Sequence, residues 1–268
     1  FVTVFTQSEL SNEYDKNNFL ENKGELEADF LFVWGDIMKE LYKKYVKGKY
    51  IVTGSFRNNF GPKINQKDLE PKIAYVSQYR PLRKSKSEGF IHYHNMKFTY
   101  EQHFLPDTDV ALMLKNFCLE KKINLEIAGT SLKDKEGEIN FFTEKLGNSG
   151  WNYLESQPDR RGHYLTSNAK FVVTVDSTLG YECLARGQRV VFFSIRGKYI
   201  GYRYCWFGWP AELAEEGPCW TTLNSEEDFK RLINFLVYGS DSEWENVRRE
   251  YLDNIISYDY DNSIFKNF

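Results

Sequence analysis

Residues 171–194 read FVVTVDSTLGYECLARGQRVVFFS. An apolar run stops at Asp176, Ser177 and Thr178, a helix-like stretch follows, and after Gly187 a second apolar run begins. Strand, polar turn, helix and strand in that order make the repeating unit of a parallel sheet. Neither apolar run alternates with polar residues, as expected of strands buried on both faces. Ser177 fits the N-cap of the helix, and Gly187 fits the C′ position beyond its end. The first turn of such a helix has free N–H groups and partial positive charge, so it attracts phosphate or carboxylate. Thr178, Leu179 and Gly180 form that turn, with Gly180 expected to let a ligand approach the backbone. Glu182 is not a capping-box partner, because Gly180 holds the box position. As a ligand group it would accept hydrogen bonds from ribose or sugar hydroxyls. The competing reading is a solvated acid that favours the helix dipole.

The rest of the chain extends this pattern. KIAYVS (72–77) and INLEIAG (123–129) read as further strands, each followed by helical periodicity. An earlier unit has a strand over 30–33, a helix over 36–45 and a strand over 50–53. NFGPKINQKDLEP (59–71) has the prolines, glycine and charges of a linker. Two acidic-start helices, SEEDFKRLINFL and SEWENVRREYLDNI, lie near the end. The expected organisation is a remnant of a first domain over 1–58, a linker over 59–71, a second domain over 72–239 and a helix with tail over 240–268.

Composition narrows the function. With 268 residues, 41% of them hydrophobic, the chain has enough apolar surface for a sizeable core. Lys+Arg 35 against Asp+Glu 38 leaves a net charge of −3, which argues against a generic nucleic-acid partner. No apolar run approaches the roughly 18 to 20 residues of a membrane span. Cys118, Cys183, Cys205 and Cys219 lack CxxC or zinc-ligand spacing, and their spread fits free thiols in a reducing compartment. The chain begins at Phe1 and reads as part of a longer protein.

VDSTLGYECLARGQRVVFFS resembles the nucleotide-sugar motif in the C-terminal half of GT-B glycosyltransferases, above all bacterial enzymes of surface and capsular polysaccharide assembly such as Kdo transferases. Ser177, Leu179, Gly180, Tyr181, Glu182, Leu184, Gly187, Arg189 and Val190 carry the match. It is good over 160–195 and looser over 71–258. The resemblance implies a Rossmann-like parallel sheet with helices on both faces, forming the C-terminal half of a GT-B architecture with a fragment of the N-terminal domain. It implies sugar transfer from a nucleotide-sugar donor, with CMP-linked Kdo one candidate, to a glycan or glycolipid acceptor. It also implies work without a bound metal or cofactor, in the cytoplasm or peripherally at the inner face of the membrane. The catalytic residue is not among those identified here, since the family often takes it from the N-terminal domain. Two alternatives stay open: a sugar-nucleotide epimerase of the same fold, and a non-catalytic nucleotide-sugar-binding domain.

Further donor-site candidates come from other strand ends. Arg80 follows KIAYVS, and its guanidinium can grip phosphate bidentately. Gly129, Thr130 and Ser131 end another strand. Arg196, in the aromatic and basic run SIRGKYIGYRYCWFGWP (194–210), is a further phosphate candidate; the Tyr and Trp residues of that run can stack on a base or sugar face, and Tyr199 is a candidate for the cleft. Ser55, Arg57 and Asn58 in GSFRNN, and His163, are candidates for the wall of an interdomain cleft. His92 and His94 form an H-x-H pair with no third ligand at convincing spacing. A serine hydrolase would need a base and a G-x-S-x-G elbow, which is absent.

Overall fold

The structure is a computed structural model that describes residues 2–4, 26–61, 63–80, 90–93, 96–130, 133–156, 165–199 and 205–268. A first unit contains β1 (Val2–Val4), β2 (Leu26–Val33), α1 (Asp36–Tyr42) and β3 (Val46–Val52). Its strands form a parallel sheet in the order β1-β2-β3. Leu31, Val33, Met38, Tyr42 and Trp209 form its buried core.

The second unit begins with β4 (Glu70–Val76), then a hairpin of β5 (Phe90–Tyr93) and β6 (Met96–Thr99). Next come α2 (Tyr100–Lys121), β7 (Leu125–Ala128), α3 (Lys135–Leu146), β8 (Asn152–Leu154) and β9 (Ala169–Thr174). After them run α4 (Thr178–Ala185), β10 (Arg189–Phe193), α5 (Ile195–Tyr199), β11 (Glu216–Gly217) and β12 (Trp220–Thr221). The chain ends with α6 (Glu226–Tyr238), α7 (Asp241–Val247) and α8 (Ser263–Lys266). The helix starts follow local chemistry. Thr99 and Gln102 form a capping box for α2, Asp134 caps α3, Ser225 caps α6, and Ser240 with Glu243 boxes α7.

The large sheet has the order β11-β12-β10-β9-β4-β7-β8, parallel except for β11. Without that antiparallel edge, the strands in chain order lie 3-2-1-4-5-6, the order of the Rossmann dinucleotide-binding fold. The expected α/β class is therefore the observed one. β10 is buried along its whole length, as its unbroken apolar run requires. In this arrangement the strand order reverses between the parallel strands β4 and β9, and such sheets place their ligand crevice at the carboxyl ends of the strands at that switch point.

The two units are tied by the end of the chain. The Asn254 carbonyl accepts from the Ile37 amide at 3.1 Å, and Trp34 accepts from the Ser257 amide at 2.7 Å. Phe265 and Phe268 then pack edge-on against Phe32. The segment after α7 thus completes the first unit. All four cysteines are free. Among the described residues, no helix is long and apolar enough to cross a membrane, and no group of three His, Cys, Asp or Glu side chains is placed to hold a metal ion.

Candidate functional site

Four strand ends converge on the crevice: β4 delivers Ser77 to Arg80, β7 delivers Gly129 and Thr130, β9 delivers Asp176 and Ser177, and β10 delivers Ser194 to Arg196. Ser177 caps α4 as expected. Its side chain accepts from the Leu179 amide at 3.3 Å, while its own amide donates to Thr174 Oγ1 at 3.1 Å. Thr178 is exposed at the first turn. At the ends of β4 and β7, the exposed Arg80 guanidinium donates to the Tyr79 carbonyl at 3.1 Å and to Thr130 Oγ1 at 3.4 Å. The Thr130 hydroxyl also donates to the Tyr79 carbonyl, so Arg80 and Thr130 form one ledge. A Schellman arrangement closes α4: the Gly187 amide bonds Leu184 and the Gln188 amide bonds Cys183.

The floor of the crevice is a charged network. Arg196 is almost fully buried and pairs with Asp107 at 2.6 Å and Asp176 at 2.9 Å. It also donates to Gln78 Oε1 at 3.1 Å and to the His103 carbonyl. Tyr75 donates its hydroxyl to the other Asp107 oxygen at 2.9 Å. Burial pushes the Asp107 carboxyl up, with Arg196 pulling the other way. Arg196 is thus a structural cation whose hydrogen-bonding edges face protein groups, in contrast to the expected phosphate ligand.

His103 lies beside this network and was not singled out by sequence. Its half-buried imidazole lies within the fields of Arg196, Asp176 and Arg80. Burial first, then the Arg196 charge, pulls its pKa down to about 4, so the ring is neutral near pH 7. Its Nδ1 finds no hydrogen-bond partner among the described residues. Asp107, Gln78 and His103 were hidden because they lie on α2 or beside a strand end with no local motif.

A second network sets the ledge. Glu138 on α3 is fully buried and accepts from Ser77 Oγ at 2.5 Å, Tyr153 Oη at 2.7 Å and the Thr130 amide at 3.1 Å. Gly129 is required here by protein: a Cβ on it would lie 2.1 Å from the Tyr153 hydroxyl. Gly180 likewise lets α4 sit on β9 and β10, since a Cβ would lie 2.7 Å from Thr174 Cγ2 and 2.8 Å from Phe192 Cε1. At Gly180, neighbouring side chains thus fill the space expected to admit a ligand.

Glu182 also departs from expectation. It is buried on the side of α4 that meets the first unit, accepting from Ser55 Oγ at 2.5 Å, and its carbonyl accepts from Asn58 Nδ2 at 2.9 Å. Burial raises its pKa against the opposing pull of Ser55, Arg186 and Arg57. Ser55 and Asn58 are therefore contacts between the units, and Arg57 is exposed beside them. Ser131, His163 and His94 lie outside the described residues, as do the side chains of Tyr199 and His92. Leu179 is half-buried against the core beside Ser177.

Comparison with known proteins fits this geometry. A family model described as "putative O-antigen biosynthesis protein" matches residues 5–268, and the chain belongs to that family. No curated protein matches it by sequence. Among solved structures it is similar to the Glycosylation Associate Protein (Gap123) complex from Streptococcus agalactiae, at 6% identity and TM-score 0.52, over 95% of this chain and 46% of that one. It is also similar to the wall teichoic acid polymerase TagF, at 11% identity and TM-score 0.48, over 95% of this chain and 64% of that one. The first of these likenesses shows a shared fold. The chain spans 46%, 40% and 51% of the length of three of the solved structures it matches.

Proposed function

We propose that this chain is the donor-binding part of a GT-B glycosyltransferase that transfers a sugar from a nucleotide-linked donor to a surface glycan or glycolipid acceptor. The carrying observation is the switch point of the sheet, where the Ser177-capped N-terminus of α4 and the Arg80–Thr130 ledge follow the carboxyl ends of the neighbouring strands β9, β4 and β7. Donor phosphates would meet the free amides and positive end of α4, with Arg80 supplying a second cation. Neutral His103 would face the same ligand as a hydrogen-bond acceptor. Fixed donors around the departing nucleotide lower the barrier by stabilising its charge without reorganisation. Residues 1–58 with the end of the chain would belong to the acceptor-side domain, and the enzyme would work peripherally at the inner face of the membrane.

Membership in an O-antigen biosynthesis family supports this reading. The epimerase alternative needs acidic groups around the donor sugar, yet Glu182 faces Ser55 and both crevice aspartates face Arg196. A donor-binding accessory subunit is the second reading. It is favoured by the shared fold with a complex titled for a glycosylation-associated protein.

Thermal melts of this chain with CMP, CDP, UDP, UMP, GDP and ADP test the site. A ligand at about 100 times its Kd adds about 2.7 kcal/mol of stability. One or more nucleotides should raise Tm, and Arg80→Ala should remove most of the rise. A folded chain that responds to none, or an unchanged response in Arg80→Ala, counts against the donor site. CMP tests the Kdo donor class, and turnover with a nucleotide sugar separates enzyme from accessory subunit.

A further inference from the structure

Next to the crevice, beyond β10, lies a cavity of about 200 Å3 walled by Leu105, Pro106, Ile195 and Leu223. We propose that it is a nucleobase subsite, which takes the flat ring of a nucleoside diphosphate whose phosphates lie at α4; this rests on the donor-site reading above. Pro106 and Ile195 directly precede Asp107 and Arg196, so the cavity shares a wall with the crevice floor. Thr222 follows β12, which is two strands from β9, or roughly 10 Å at ordinary strand spacing. A ribose and its phosphates cover that span.

The lining selects the ligand class. Apolar walls with a few polar groups suit a heteroaromatic ring, which presents two apolar faces and a hydrogen-bonding edge. A sugar would bring hydroxyls on every side and leave several unpaired, each at a desolvation cost. The polar groups that are present are placed for an edge. Thr222 lines the cavity and is 2% exposed, yet its hydroxyl has no partner among the described residues. Buried hydroxyls normally have one. The Ser194 hydroxyl, at the adjoining end of β10, is also buried and without a partner among those residues. Asp109 and Asn224 also line the cavity, with Asn224 Nδ2 donating to Asp109 Oδ2 over a loose 3.4 Å. A carboxylate acceptor favours a base carrying an exocyclic amino group, as in cytosine, adenine and guanine, over uracil. Lys198, also in the lining, is paired with Glu215 at 2.5 Å.

Calorimetric titration of this chain with CDP, ADP, GDP, UDP and inorganic pyrophosphate tests the assignment. At least one amino-bearing nucleotide should bind about tenfold tighter than pyrophosphate, which corresponds to about 1.4 kcal/mol. Leu223→Trp should fill the cavity and lower nucleotide affinity to the pyrophosphate level, with pyrophosphate binding unchanged. Asn224→Ala, at an exposed position that places no burden on folding, should alter the ranking of the bases. Equal binding of nucleotides and pyrophosphate, or full nucleotide affinity in Leu223→Trp, would overturn the subsite while leaving the phosphate site standing. Binding of neither ligand would overturn both.

Discussion

Replacing Arg196 with leucine separates the two roles available to a buried guanidinium at this crevice. In the structure Arg196 is 2% exposed and its partner Asp107 is 0% exposed. Its removal leaves the Asp107 and Asp176 carboxylates facing each other without their cation, and leaves Gln78 Oε1 and the His103 carbonyl without that donor. Breaking a buried pair by deleting one partner costs about 3–5 kcal/mol. At about 2–4 °C per kcal/mol for a domain of this size, Tm should fall by roughly 6–20 °C near pH 7. The sign of the pH dependence follows from the carboxylates. Burial already holds the Asp107 carboxyl above its ordinary value against the pull of Arg196, and without that cation its folded pKa should rise further above the unfolded one. Such a group contributes stability below its unfolded pKa and loses it as pH rises through the folded pKa. The deficit of Arg196→Leu should therefore be largest near pH 7 and shrink toward pH 4.5. Arg196→Lys should fall between, because one ammonium cannot reproduce the planar fork that reaches both aspartates and Gln78. Calorimetric melts at the two pH values, with and without nucleotide, give the answer. A variant with unchanged Tm but no nucleotide binding would refute this reasoning, because it would mean that the guanidinium serves a ligand phosphate.

Two substitutions on α4 test the other assignments. Glu182→Gln keeps an acceptor for Ser55 and removes a carboxyl whose pKa burial has raised, so it should raise Tm near pH 8, with the gain vanishing toward pH 4.5; paired melts showing equal loss at both pH values would refute a strained carboxylate. Gly180→Ala should destabilise by up to about 2 kcal/mol, because an overpacking cost of about 1–3 kcal/mol against Thr174 and Phe192 outweighs the roughly 1 kcal/mol that alanine gains in a helix. Urea unfolding of that variant reads the sign directly, and a stabilised protein would show that α4 has room to shift.

The parallel sheet was legible because its evidence is local. Unbroken apolar runs, polar turns and N-cap residues such as Ser177 and Asp134 recur at the right spacing, and each acts within a few residues. Ser177, Arg80 and Thr130 could be placed at carboxyl strand ends for the same reason, because each closely follows an apolar run. The floor was not legible. Asp107 lies 89 residues from Arg196 in sequence, inside a helix whose pattern gives no reason to bury a carboxylate. No spacing rule joins the two, so Arg196 looked like a free phosphate ligand. His103 was hidden in the same way, because only tertiary packing brings α2 over the ends of β4 and β10.

Glu182 is different, because a local argument was sufficient to place it. At 3.6 residues per turn, a residue five positions after the cap lies about 140° around the helix. A side chain at that angle cannot share the direction of Ser177, whatever its affinity for sugar hydroxyls. The structure turns that divergence to use. The start of α4 faces the crevice, Gly180 lies flat on the sheet, and Glu182 meets Ser55 and Asn58 of the first unit. One eight-residue helix therefore presents its capped first turn at the strand ends and meets the junction between units at Glu182, with the sheet as its support. A ligand that pulls on the amides at the start of α4 acts on the same rigid element that the first unit grips at Glu182. The two contacts lie only five residues, or roughly 7.5 Å, apart along one helix axis.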